Sequence, residues 1–142
     1  MDLTLSFPTS PRERMCGIVH VPRMIDKARA FRKNAMGEYI YPCPLDKMIL
    51  NFLRTDPVEF CQYVVDHDRG QIEGWVAEKS MARSESEKEF INRQILERAP
   101  DSEDRWKYFY EIRDKIDPSR TDITTWVDLI DLEEGRLQPK AS

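Results

Sequence analysis

The sequence predicts an all-α protein, a compact bundle of about six or seven short helices with an extended strap around residues 38–44. Three observations predict it. Apolar residues recur at i, i+3, i+4 and i+7 in one window after another, the signature of helices with a single buried face. Windows open on helix-start signals, with proline at the first helical position in Ser10-Pro11, Val21-Pro22, Cys43-Pro44 and Asp56-Pro57. No alternating pattern lasts long enough to build a sheet.

At 142 residues the chain suits one domain, 1–142, with a core of useful size. The Ser- and Glu-rich run at 80–88 is the candidate mobile connection within it. Ser10, Pro11 and Glu13 predict a short opening helix that Gly17 breaks, leaving Ile18-Val19-His20-Val21 extended or looped. The central helix then runs from Pro22 to about Asn34. Met24, Ala28, Phe31 and Ala35 share its apolar face, and Arg23, Asp26 and Lys27 lie opposite. Asp26 is three residues from both Arg23 and Arg29 and can pair with either.

The prolines at 42 and 44 keep the strap out of helix, and alternation places Tyr39, Tyr41 and Cys43 on one side of it. A second helix starts at Pro44 with Leu45, Met48, Ile49, Phe52 and Leu53 as its buried face, and Asp46 complements its dipole. The third starts at Asp56, buries Phe60, Cys61, Val64 and Val65, and stops at Gly70. A short helix around Trp75 follows. Ser84 opens the next, to about Arg98, with Phe90, Ile91 and Ile95 buried. Asp101 to Asp104 start another, and Asp122 caps the last, which Gly135 ends. The tail from Arg136 is expected to be loose.

Composition narrows the function classes. No apolar run reaches the roughly eighteen residues of a membrane span, and the N-terminus lacks the apolar core of a signal peptide, so the expected location is cytoplasmic. The three cysteines, Cys16, Cys43 and Cys61, form no C-x-x-C, and with only His20 and His67 beside them no zinc spacing arises. No metal or cofactor is therefore expected. Residues 1–34 hold seven basic against three acidic residues, leaving fifteen against twenty-three in the remainder. A basic segment on an acidic body fits a local anion site and argues against broad nucleic-acid contact.

Phosphate-cradle, nucleophile-elbow and metalloprotease motifs are absent, so candidate residues come from density of chemistry alone. The stretch from Cys16 to Ala30 is the densest. If the charged face of the central helix is solvated, its ion pairs contribute about 0.3 to 0.5 kcal/mol each and mean little. If other parts of the chain cover it, Arg23 and Lys27 can hold a carboxylate or phosphate. His20, Asp26 and Tyr41 are then the candidates for proton transfer, and Tyr39, Cys43 and Asp46 line the wall. A Cys–His nucleophile pair from Cys16 or Cys43 with His20 is a further arrangement to test.

The segments Ser10-Pro11-Arg12-Glu13-Arg14, Gly17 through Arg29, Tyr39-x-Tyr41-x-Cys43-x-Leu45-Asp46 and Thr125 through Asp131 together resemble the bacterial family known as domain of unknown function 5069. The resemblance runs nearly the full length. It implies a single-domain helical protein of the bacterial cytoplasm and carries no activity or catalytic residues with it. The expected function is therefore a binding protein or enzyme for a small anionic metabolite. The alternative is a non-catalytic module that binds a protein partner, or its own copy, through a helical face exposing Trp75, Trp106 or Trp126.

Overall fold

A computed structural model of the chain describes residues 2–137, and among these the architecture is all-α, with seven helices and one two-stranded hairpin. Two compact units divide it, Met1–Asn92 and Arg93–Ser142.

The first unit opens with a correction. The Ser10-Pro11 signal yields a turn instead of a helix, and the chain passes into β1 (Arg14–Met15), which pairs antiparallel with β2 (Ile18–Val19). Cys16 and Gly17 between them both have positive φ, 55° and 77°, as a tight two-residue hairpin loop requires. The Arg12 and Glu13 N–H groups donate back to the Ser10 hydroxyl (3.2 Å) and carbonyl (3.1 Å), closing a turn, so the capping pattern at Ser10 has no helix to cap. Buried Asn92 secures the hairpin by accepting from the Val19 N–H at 2.9 Å and donating to the Gly17 carbonyl at 2.8 Å.

Helix α1 (Val21–Arg32) follows at once and forms the centre of the unit. Val21, Met24, Ile25, Ala28 and Ala30 are buried, whereas Phe31, placed on the buried face by its spacing, is half exposed, and Ala35 lies past the helix end. Helix α2 (Pro44–Leu53) buries Leu45, Ile49, Leu50, Phe52 and Leu53. Helix α3 (Pro57–Asp66) packs against α1 with Phe60, Cys61 and Val64, while Val65 is exposed. Arg29 reaches across to this helix and donates to the carbonyls of Val64 (3.1 Å) and His67 (3.2 Å), complementing its negative end.

Gly70 does not stop α3. The helix ends at Asp66, and Asp68 caps a new one, α4 (Arg69–Lys79), by accepting from the Gln71 N–H while the Gln71 side chain accepts from the Asp68 N–H. This capping box offsets the glycine in its first turn. Helix α5 (Glu85–Leu96) buries Ile91 and Ile95 but leaves Phe90 exposed.

The second unit holds α6 (Glu103–Ile116) and α7 (Trp126–Glu133), with a core of Phe109, Ile123, Leu129 and Leu132. The cap of α7 is Thr125, which accepts from the Asp128 N–H, and Asp122 instead pairs with Arg120. The buried Ile123 precedes the helix. Of the tail expected to be loose, Arg136 and Leu137 are docked, Arg136 on Asp131 and Leu137 against the core. Residues 138–142 lie outside the described part. No helix among the described residues is long and apolar enough to cross a membrane.

Candidate functional site

The charged face of α1 is covered. Arg23 is 4 % exposed, Asp26 9 % and Lys27 3 %, so the solvated-face reading fails at all three. Charges this deep require partners, because an isolated buried charge is far more expensive than any surface pair is favourable.

Four side chains meet at the hub, Asp46. The third position of α2 turns its carboxylate back toward the helix start, where it accepts from the Cys43 N–H at 2.9 Å and closes a capping box. The same oxygen accepts from the Lys27 ammonium at 2.7 Å, and the other oxygen meets His20 Nε2 at 2.7 Å. Lys27 also donates to Cys43 Sγ at 3.1 Å. His20 and Asp46 are 0 % exposed, and half-buried Cys43 alone of the four reaches toward the surface.

His20 owes its position to the hairpin. It caps α1 in the left-handed region (φ 74°), a conformation histidine adopts more readily than branched residues, and its N–H is anchored to the Glu13 carbonyl at 3.0 Å. Burial pushes the Asp46 carboxyl up, but the hydrogen bond from His20 and the charge of Lys27 outweigh it and hold the group well below the usual carboxylate range. Burial pushes the His20 imidazole below its ordinary value, more than Asp46 raises it. The pair is thus a carboxylate beside a neutral imidazole, so Nε2 carries the proton. Nδ1 is then a bare lone pair, buried, with no hydrogen-bond partner among the described residues. A carboxylate on one ring nitrogen and a free base on the other is the arrangement of a general base.

Burial and the neighbouring Asp46 push the Cys43 thiol up, and Lys27 only partly offsets them. The sulfur is accordingly a neutral thiol at pH 7, despite its place at a helix N-terminus. His20, Cys43 and Asp46 each offer a ligand atom, all within 4.8 Å of one another, a donor set that could in principle take a metal ion. Lys27 already touches two of these three donors, so the cation this set holds is its own ammonium.

The other candidates form the surroundings. Asp26 accepts from the Thr9 N–H (2.8 Å) and hydroxyl (2.6 Å), and Arg23 donates to the Thr9 carbonyl at 3.2 Å and lies 5.5 Å from the Tyr39 ring centre. Both therefore fasten the N-terminal segment over α1. Tyr41 donates its hydroxyl to the Pro57 carbonyl at 2.7 Å, and burial pushes the phenol far above its ordinary value. It ties the strap to α3. Cys16, the other thiol considered with His20, donates instead to the Glu73 carbonyl at 3.4 Å. Sequence reasoning missed Thr9, and nothing in its surroundings marks it, since its role depends on a contact seventeen residues away.

A family model described as domain of unknown function (DUF5069) matches residues 5–136. The chain belongs to the DUF5069 family. The match spans every site residue of this DUF5069 chain, from Thr9 to Asp46, and most of each unit. No curated protein matches it.

Proposed function

We propose that this DUF5069 chain is a binding protein or enzyme for a small metabolite carrying an anionic group, taken up at the cluster of His20, Lys27, Cys43 and Asp46. One observation carries the reading. A single buried cluster offers an ammonium with two protons committed, to Asp46 and Cys43, beside an imidazole nitrogen with no partner. The third ammonium proton suits an anionic oxygen, and the bare Nδ1 suits a proton on the same ligand. Should a reaction follow, His20 is the base and Asp46 holds its tautomer. Cys43, with Tyr39 on the strap, is the side from which the ligand arrives. The setting is the reducing bacterial cytoplasm, in keeping with three free cysteines.

The alternative, a module for a protein partner, relied on an exposed tryptophan. Trp75 stacks on Tyr63 at 4.0 Å, and Trp106 and Trp126 pack on Phe109 at 5.5 and 5.2 Å, all partly buried, which favours the ligand reading.

A thermal-shift panel of carboxylated and phosphorylated metabolites tests it. The parent is compared with the charge-neutral Lys27→Met/Asp46→Asn variant, whose fold is verified by circular dichroism. A ligand at one hundred times its dissociation constant stabilises by about 2.7 kcal/mol, a midpoint rise of a few degrees, in the parent alone. Equal shifts in both proteins, or no shift across the panel, overturn the assignment.

A further inference from the structure

Lys27 Nζ stands between two atoms of different chemistry, donating to Asp46 Oδ2 at 2.7 Å and to Cys43 Sγ at 3.1 Å. The carboxylate accounts for an ammonium at this depth. It does not account for the sulfur, a weak acceptor that adds little to holding the charge. The arrangement does put an amine, the sulfur it can attack and a base for its proton in mutual contact. The other two thiols are placed differently: Cys16 and Cys61 donate to the main-chain carbonyls of Glu73 (3.4 Å) and Ala28 (3.3 Å).

Access singles out the same pair. His20, Lys27 and Asp46 are closed to water, whereas Cys43 is only partly buried. A small oxidant arriving from solvent therefore meets the sulfur of the cluster first. Lys27 lies on α1 and Cys43 caps α2, so a bond between them would fasten one helix to the other.

We propose that Lys27 and Cys43 form a cross-linking site, joined by a direct nitrogen–sulfur bond, a sulfenamide, when the chain meets hydrogen peroxide. In the first step the thiol gives up two electrons and the O–O bond breaks, leaving Cys43 as a sulfenic acid and releasing one water. In the second, Lys27 passes a proton to Asp46 along their hydrogen bond, and the freed lone pair attacks Sγ. The N–S bond forms and the S–O bond breaks. The departing hydroxide leaves as a second water, taking another proton from the same nitrogen. Net charge is unchanged, because an ammonium and a carboxylate become a neutral link and a carboxyl. With the Lys27 charge gone, burial favours that protonated carboxyl.

The thiol is protonated at pH 7, so the first step is slow and the link answers sustained peroxide. Once the sulfenic acid exists, an amine already in contact outruns a second peroxide from solution. The chemistry needs no metabolite and stands whether or not the cluster binds one. Where the cluster is also an anion site, the link removes its ammonium.

The test treats the full chain with hydrogen peroxide, stops it with catalase, and reads intact mass and tryptic peptides. Trypsin cuts the reduced chain after Arg23, Lys27, Arg29, Lys33 and Lys47. The cross-linked chain is lighter by two hydrogens, resists cleavage after Lys27, and yields residues 24–29 joined to residues 34–47. Dithiothreitol restores the original mass and the cut. Cys43→Ser, which keeps a good helix cap, forms no such joined peptide. Lys27→Arg keeps the charge without a nucleophilic amine, and its Cys43 runs on to sulfinic acid. The proposal is overturned if Cys43 of the parent becomes sulfinic acid while cleavage after Lys27 stays complete. It is equally overturned if Cys43 is recovered in a disulfide, or stays a thiol at peroxide levels that oxidise Cys16.

Discussion

His20 has its folded-state value depressed by burial, so near and below its ordinary 6.5 the unfolded chain holds a proton that the folded chain excludes. Stability therefore falls as the pH drops from 7 through that range. Denaturant melts at pH 7.5 and 5.5 should show a loss in the parent that shrinks in His20→Gln. Asp46 acts in a separate window. Its depressed carboxyl contributes fully above about pH 4, the unperturbed aspartate value, and the contribution is lost as acid protonates it. Lys27→Met should cost about 3 to 5 kcal/mol, since it leaves a buried carboxylate short of a partner. Adding Asp46→Asn should restore part of that, as a double-mutant cycle by urea titration will read. The identities of these residues were legible in the sequence, but their pairing was not. Local spacing offered Asp26 to Arg23 and Arg29, whereas Lys27 found its carboxylate nineteen residues away. Asp46 read as a dipole-complementing residue and does close a capping box, yet the same carboxylate is the hub of the cluster. No local pattern announces that second task, because it depends on which face of α2 meets α1.

At the scale of elements, the long amphipathic stretches declared themselves and the short ones did not. Helix α2 follows from apolar spacing alone, with Leu45, Ile49, Phe52 and Leu53 all buried as their spacing predicts. The hairpin escaped notice because four paired residues give no periodicity, and Ser10-Pro11-x-Glu13 satisfies a helix-start rule equally well in a turn. Gly70 misled in the opposite direction: as a stop signal it lay inside the next helix, while Asp68 and Gln71 on either side of it carried the decisive cap. Two substitutions probe these joints. Asp56→Ala removes the side-chain cap of α3 and should cost about 1 kcal/mol in a thermal or urea melt. Gly37→Ala should cost about 1 to 3 kcal/mol, because the residue has φ 58° and a Cβ there would lie 2.9 Å from the Leu3 carbonyl oxygen. A melt unchanged by the alanine at 37 would show that the N-terminal segment yields readily.

For the whole molecule, the division at Asn92 makes an asymmetric expectation. The first unit has its own core, built on α1 and closed by Asn92, and a chain of residues 1–92 should fold with helical circular dichroism and a cooperative melt. The second unit, fifty residues gathered on Phe109, Ile123, Leu129 and Leu132, falls in the size range where a single core is marginal. On its own it should show weak helicity and no sharp transition. All four residues of the proposed site, His20, Lys27, Cys43 and Asp46, lie in the first unit, so residues 1–92 should retain any small-molecule binding made at that cluster.

The sealed imidazole of His20 also turns the protein into its own gauge of motion. A ring proton held between Nε2 and a buried carboxylate, both residues being fully closed to water, exchanges only when the structure around them opens. Such a proton resonates far downfield of the amides, where nothing overlaps it. The rate at which its signal fades in heavy water then reports the opening of the buried cluster, read from a single line of the spectrum without any ligand being known.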